Sequence, residues 1–327
     1  MKAALIGCGG AGSGHAHKAR ELGIEVAAFC DNVEAAAQRL RDEMGSGLFT
    51  GDPREILRDA SIELLLIATH HDAHYPLALA GARAGKHLLV EKPMCVTRAE
   101  AVEVAEAVEK AGVKLVVNCK FRIAPTVQKA RALLSRPRLS HGQLAMSDSS
   151  RGRSNWIWDP DDGGGLLIST AVHCIDLLTY IMDSEPERVY AEGRVFGENK
   201  GSAGYPDGLV GTITWQSGAL STLISADQGM NPFVSKWFHQ VWDGERSAVF
   251  SAHTARVDFG ACPIDYLDAR ELPAEELQKA SMLANLLEAI RRDGDTLCNA
   301  ADGVRTVALC NALDAAVRSG KPQMVQH

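Results

Sequence analysis

Ala3-Ala4-Leu5-Ile6-Gly7-Cys8-Gly9-Gly10-Ala11-Gly12 decides the fold. Four small or apolar residues make a short buried strand, the next six read G-x-G-x-x-G, and a helix-compatible stretch runs to about Leu22 with Gly23 as its stop. In this strand, turn and helix order each glycine has a task. Gly7 permits the tight turn, Gly9 and Gly10 let backbone approach a pyrophosphate at the helix N-terminus, and Gly12 lets the helix pack close to the strand.

Working outward, a second strand from Ile24 to Cys30 ends at Asp31, nineteen positions past Gly12. A carboxylate there accepts hydrogen bonds from a ribose diol and repels a 2′-phosphate, which favours NAD over NADP. Asn32, not an arginine, follows it and agrees with that choice. A helix from Val33 to Met44, a weak strand near Leu48-Phe49 and a short helix opened by Asp52-Pro53 come next. The strongest strand, Ile62 to Ala68, runs into Thr69-His70-His71-Asp72-Ala73-His74. The reading is a loop whose Thr69, His70 and His74 contact the ribose and nicotinamide of the cofactor; no further ligand spacing supports a metal, and none is expected. A helix from Pro76 to Ala84 follows.

His87-Leu88-Leu89-Val90 is then a buried strand that ends in Glu91-Lys92-Pro93. In an open parallel sheet the carboxyl ends of the strands face the ligand crevice, so Glu91 and Lys92 stand where a nucleotide and a reacting group meet. Thr97 with Glu100 forms a capping box that starts a helix to Lys110, and Val113 to Val117 closes the pattern as a strand. Strands alternating with helices over residues 1–117 predict a doubly wound parallel sheet.

After about Phe121 the pattern changes. A helix near Pro125 to Leu134, a strand near Leu144 to Ser150, a Trp156-Ile157-Trp158 loop and a helix from Leu166 to Met182 precede a long period-two stretch from Val189 to about Phe259, with turns at Ser217-Gly218 and Asp243-Gly244. Two helices, about Ala274 to Arg292 and Asp302 to Ser319, end the chain. The expected organisation is a Rossmann domain over residues 1–121 and an α+β domain with a large, mostly antiparallel open sheet over 122–327, whose last helices pack back on the first domain.

Length and composition agree with two ordinary domains: 327 residues, 46% hydrophobic. A net charge of -7 and a pI near 5.9 leave no basic surplus for nucleic acid. No apolar run reaches the roughly 18 residues of a membrane span. Eight cysteines, scattered singly, read as reduced thiols of a cytoplasmic protein.

With these residues in hand, the chain resembles the Gfo/Idh/MocA family of NAD(P)-dependent oxidoreductases, which includes glucose-fructose oxidoreductase and inositol dehydrogenase. The likeness rests on Gly7-x-Gly9-x-x-Gly12, on Ala82-Arg83-Ala84-Gly85-Lys86-His87 through Glu91-Lys92-Pro93, on Arg122-Ile123-Ala124-Pro125, on Gly163-Gly164-Gly165 with His173 and Asp176, and on Asp302-Gly303-x-Arg305. The resemblance implies an NAD-dependent dehydrogenase that oxidises a secondary hydroxyl of a sugar, sugar derivative or cyclitol. It further implies that Lys92 hydrogen-bonds the reacting hydroxyl and that His173 is the acid/base. A neutral imidazole with a pKa near 6.5 can take the proton that must leave with the hydride, and an ammonium stabilises the developing alkoxide.

Asp176, three residues on, is expected to orient His173. Where the family commonly has an aspartate four residues before the histidine, this chain has Ser169, so either Asp176, Asp161 or Asp162 substitutes or the proton route differs from the commonest one. Thr69-His70 also stands where relatives often carry threonine-proline. Ser169, Asn118 and Arg122 are candidate substrate contacts, with a structural salt bridge as the other reading of Asn118 and Arg122. Trp156 and Trp158 either stack on a sugar ring or pack as a lid or core. Two rival readings use the same scaffold: a redox-neutral NAD-dependent glycosidase or lyase, and a non-catalytic NAD-binding sensor. A homodimer or homotetramer is expected.

Overall fold

The computed structural model describes residues 1–145, 156–158, 163–165, 167–196, 206–226, 237–259, 262–273 and 280–327. They form two units, Met1–Asn118 with Ser281–Val304, and Cys119–Ala280 with Arg305–His327.

In the first unit β1 (Lys2–Ile6), α1 (Gly10–Glu21), β2 (Glu25–Cys30), α2 (Glu34–Met44), β3 (Leu48–Thr50), α3 (Pro53–Arg58), β4 (Leu64–Ile67), α4 (His71–Arg83), β5 (His87–Val90), α5 (Arg98–Ala111) and β6 (Leu115–Val117) alternate. The strands pair in parallel in the order β3-β2-β1-β4-β5-β6. Helices cover both faces, and in β4 the residues Leu64, Leu65, Leu66 and Ile67 are all fully buried. The predicted caps are present: Asp52 Oδ1 accepts the Arg54 N–H at 2.9 Å, and Thr97 and Glu100 form the capping box.

The start of α4 is the largest departure from the expected boundaries of this unit. α4 begins at His71, not at Pro76, so the histidine-rich stretch is helix from its second histidine onward. Pro76 lies early in the helix, where its missing N–H removes a single bond to the turn before it, and the helix tolerates it.

The second unit holds α6 (Pro125–Leu133), β7 (Leu139–Ala145), a 3₁₀ turn at Trp156–Trp158, a π-helical turn at Leu167–Ala171 and α7 (Val172–Met182). Then come β8 (Pro186–Arg194), β9 (Gly208–Trp215), β10 (Leu220–Ala226), β11 (Trp237–Trp242), β12 (Arg246–Ser251), β13 (Thr254–Phe259) and β14 (Cys262–Asp268). The chain ends with α8 (Met282–Arg292), α9 (Ala300–Ser319) and β15 (Gln323–Met324). Among the described residues the sheet runs β14-β13-β12-β11-β7-β10-β9-β8-β15. β7 and β10 are parallel neighbours and the other pairs are antiparallel. α7 packs on β7 and β10, its buried Ile175 and Leu178 joining Leu144 and Leu223 in one core. Strand β7 starts five residues before the expected Leu144, and its Gly142 makes room for Cys174 and His239, since a Cβ there would sit 2.8 Å from the Cys174 sulfur. The expected continuation through residues 146–150 lies outside the described residues, as does the expected helix start at 274–279.

α8 belongs to the first unit, where it packs against β5, β6 and α1. The Val117 N–H donates to Cys298 O at 2.9 Å and the Thr296 hydroxyl to Leu115 O at 2.6 Å, so the stretch after α8 extends the edge of the parallel sheet. The sequence reading placed its cut after residue 121 and expected the last helices to pack back on the first domain; helical periodicity shows an apolar face but not which strands that face will cover.

Candidate active site

The turn between β1 and α1 is built as the sequence requires. Gly7 has φ +94°, and a Cβ there would lie 2.3 Å from Ala68 O; a Cβ on Gly12 would lie 1.9 Å from Gly7 O. Gly9 and Gly10 face open space, with nothing within 4 Å of a Cβ on either. α1 starts there with no acidic residue in its first turn and no side-chain cap among the described residues, so its N-terminal amides present a positive end. That arrangement fits a diphosphate. Asp31 sits at the end of β2 with Oδ2 accepting the Cys8 N–H at 2.7 Å and Oδ1 accepting the Val33 N–H at 2.9 Å. The carboxylate is therefore locked beside the glycine turn, partly exposed, with lone pairs remaining for hydroxyl donors, and Asn32 is exposed next to it.

At the carboxyl end of β5, Glu91 accepts three hydrogen bonds. His15 Nε2 donates to Oε1 at 2.8 Å, Asn118 Nδ2 to the same oxygen at 2.7 Å, and the Lys92 N–H to Oε2 at 3.2 Å. Burial alone would raise the Glu91 pKa. The His15 hydrogen bond and charge, the Lys92 ammonium and the Asn118 amide overcome that and hold it at about 2. Lys92 is half-buried and its peptide to Pro93 is cis. Glu91, expected as a cofactor contact, and Asn118, read as a substrate contact or as part of a structural pair, thus bond to each other, and Glu91 bonds to His15 as well.

His74 also bonds within the protein. It is fully buried, with Nδ1 donating to Pro93 O at 2.7 Å and Nε2 lying 3.2 Å from Thr69 O. Burial lowers its pKa, and the Nδ1 hydrogen bond ties α4 to the loop after β5. Thr69 is partly exposed with its hydroxyl on His70 O, and His70 is exposed at the start of α4.

In the second unit, His173 is the second residue of α7 and is partly exposed, directly after the π-helical turn that contains Ser169. Such turns recur at functional sites. Ser169 is 2% exposed, its hydroxyl 3.3 Å from that of Thr170. Arg122 and Asp176 meet in a buried ion pair, the other of the two readings of Arg122. The guanidinium donates through Nε to Asp176 Oδ2 at 2.9 Å and through Nη2 to Oδ1 at 2.8 Å, with side-chain exposures of 2% and 1%. The Thr306 hydroxyl donates to the same Oδ1 at 3.1 Å, and the Arg122 guanidinium lies over the Tyr180 ring. Asp176 thus accepts from both Arg122 and Thr306, and the Arg122–Asp176 pair is buried. Trp156 is half-buried against Ile157. The Trp158 side chain, Asp161 and Asp162 lie outside the described residues.

Two sets of residues escaped the sequence reading. His15 had a signal, since it lies three residues after Gly12 and therefore on the same face of α1. Phe121 had none. Its ring stacks on Trp237, with centroids 4.6 Å apart, and leans on His173 at 4.9 Å, joining positions far apart in the chain.

Residues 1–119 match the oxidoreductase family with an NAD-binding Rossmann fold, and residues 127–230 match the GFO/IDH/MocA C-terminal domain. The chain belongs to the GFO/IDH/MocA family. As a member it is an NAD(P)-dependent oxidoreductase with an NAD-binding Rossmann domain. Similar GFO/IDH/MocA relatives include the oxidoreductase YrbE of Bacillus subtilis, 24% identical over 99% of this chain and 96% of that protein. Myo-inositol 2-dehydrogenase of Thermotoga maritima is 26% identical over 72% of this chain and 73% of its own. Among solved structures, levoglucosan dehydrogenase in complex with NADH and levoglucosan has a TM-score of 0.88 at 20% identity, covering 100% of this chain and 99% of the other. That likeness is one of fold. Among the described residues no helix is long and apolar enough to cross a membrane.

Proposed function

We propose that the protein oxidises a secondary hydroxyl of a sugar, sugar derivative or cyclitol to a ketone, with NAD preferred over NADP. The observation that carries this reading is the end of β5, where Lys92 follows an anchored, ionised Glu91 at the carboxyl edge of the sheet that carries the glycine turn. The names of relatives support the substrate class: myo-inositol 2-dehydrogenase, 1,5-anhydro-D-fructose reductase of Ensifer adhaerens and, by fold, levoglucosan dehydrogenase. Asp31 supports the cofactor preference, because a locked carboxylate accepts from a ribose diol and repels a 2′-phosphate.

Gly9, Gly10 and the N-terminus of α1 would hold the diphosphate, and Asp31 the adenine-side ribose; when bound, the nicotinamide supplies the hydride acceptor. Lys92 donates a hydrogen bond to the hydroxyl oxygen and stabilises the charge that develops there. His173 takes the hydroxyl proton as a neutral imidazole. Burial pushes the thiols of Cys8 and Cys30 up to about 12 and about 11, so they stay protonated at neutral pH and take no part. A cytoplasmic homo-oligomer completes the reading. Val210, Leu220 and Ile224 line up on the exposed face of β9 and β10, which suits a surface between copies of the chain.

Absorbance at 340 nm decides. The purified protein is mixed with NAD or NADP and a panel of aldoses, uronates, glycosides, anhydrosugars and inositols. A steady rise with NAD and a panel member is expected, and a flat trace throughout rejects the proposal.

A further inference from the structure

We propose that His15 is a positioning residue for Lys92: from one turn into the helix that opens at the glycine turn, it holds the Glu91 carboxylate, and through it the lysine next in the chain. The inference rests on the role given to Lys92 above. Three donors converge on Glu91, two of them on Oε1, from three different elements: His15 on α1, Asn118 just after β6, and the Lys92 backbone. The His15 and Glu91 side chains are only 12% and 16% exposed, so water does not readily replace either partner.

The charged and titratable groups facing Glu91 are His15 from α1, His74 from α4 and Lys92 itself, with Asn118 as a neutral donor. With Oε1 satisfied by His15 and Asn118, the carboxylate does not require the Lys92 ammonium as a hydrogen-bond partner. Without His15, a half-satisfied buried carboxylate either draws the ammonium onto itself or takes a proton, and in both cases Lys92 leaves its working position. α1 also carries the amides proposed for the diphosphate, so one rigid helix links the cofactor turn to the lysine.

The test compares wild type, His15→Leu and His15→Gln, all NAD-bound, with circular dichroism as the check on folding. Glutamine returns an N–H donor near the position of Nε2, and leucine does not. For His15→Leu, kcat should fall by about 10-fold or more with KM for NAD unchanged, and glutamine should recover most of the loss. The second readout needs no substrate. Lysines are reductively methylated with ¹³C-formaldehyde, the Lys92 signal is identified by its loss in Lys92→Arg, and its shift is followed from pH 4 to pH 9. His15→Leu should show an acid-side step, as Glu91 protonates within that window, which wild type and His15→Gln lack. Asn118→Leu, which removes the other donor to Oε1, should show a smaller step of the same sign, and it decides the matter if His15→Leu does not fold. Superimposable Lys92 titrations overturn the proposal. A wild type that oxidises nothing in the panel overturns the sugar-oxidation reading instead, and the Lys92 titration still decides on His15.

Discussion

The roles proposed for Lys92 and Asp31 are separable, and single substitutions test each. Lys92→Ala should lower turnover by roughly 10²- to 10⁴-fold, because it removes the donor to the developing alkoxide while leaving the glycine turn intact. NAD affinity, followed by quenching of tryptophan fluorescence, should stay close to wild type; undiminished turnover would remove Lys92 from the mechanism. Asp31→Ala should raise the ratio of kcat/KM with NADP to that with NAD, since it deletes both the diol acceptor and the charge that repels a 2′-phosphate. An unchanged ratio would mean that the ribose lies elsewhere. Both residues were legible in the sequence because each ends a strand at a spacing that the parallel fold imposes. Arg122 was not legible in the same way: an arginine just after the last parallel strand reads equally as a substrate ligand or as half of an ion pair, and its partner lies 54 residues away.

Among the elements, the link from β1 to α1 and the packing of α7 carry the sharpest consequences. Gly12→Ala places a methyl carbon where Gly7 O already stands, so α1 must move off β1. We expect NAD to stop raising the melting temperature of that variant, as judged by differential scanning fluorimetry with and without NAD. α7 is held by the Arg122 and Asp176 pair. Removing one partner leaves a buried charge uncompensated, so Asp176→Asn should destabilise by about 3–5 kcal/mol in urea unfolding, with Arg122→Leu similar. A loss below about 1 kcal/mol would show that the pair is dispensable, as exposed pairs generally are. The capping box of α5 and the proline start of α3 could be read in advance because capping is local chemistry. The start of α4 could not, since histidines have no strong conformational preference and the burial of His71 and His74 settled the matter.

At the scale of the whole molecule, Glu91 ties stability to pH. Its carboxyl is depressed from an ordinary 4.5 to about 2, so the folded state binds its proton more weakly than the unfolded chain does. The resulting stabilisation is present above about pH 4.5 and is lost as the pH falls toward about 2. Over that window the melting temperature of wild type should fall more steeply than that of Glu91→Gln; parallel curves would show that the charge is not specifically held. The sequence by itself determined the alternation of strands and helices through residue 117, the glycine turn, Asp31 and Lys92 at strand ends, and the period-two sheet that follows. All of these arise from patterns within a few residues, where backbone sterics and burial leave few alternatives. Only the tertiary structure decided that α8 covers β5 and β6, that Arg122 meets Asp176, that His74 ties α4 to the loop after β5, and that His15 holds Glu91. Those pairings join residues brought together by the stacking of whole elements, and many polar side chains of similar chemistry compete for each partner until packing selects one.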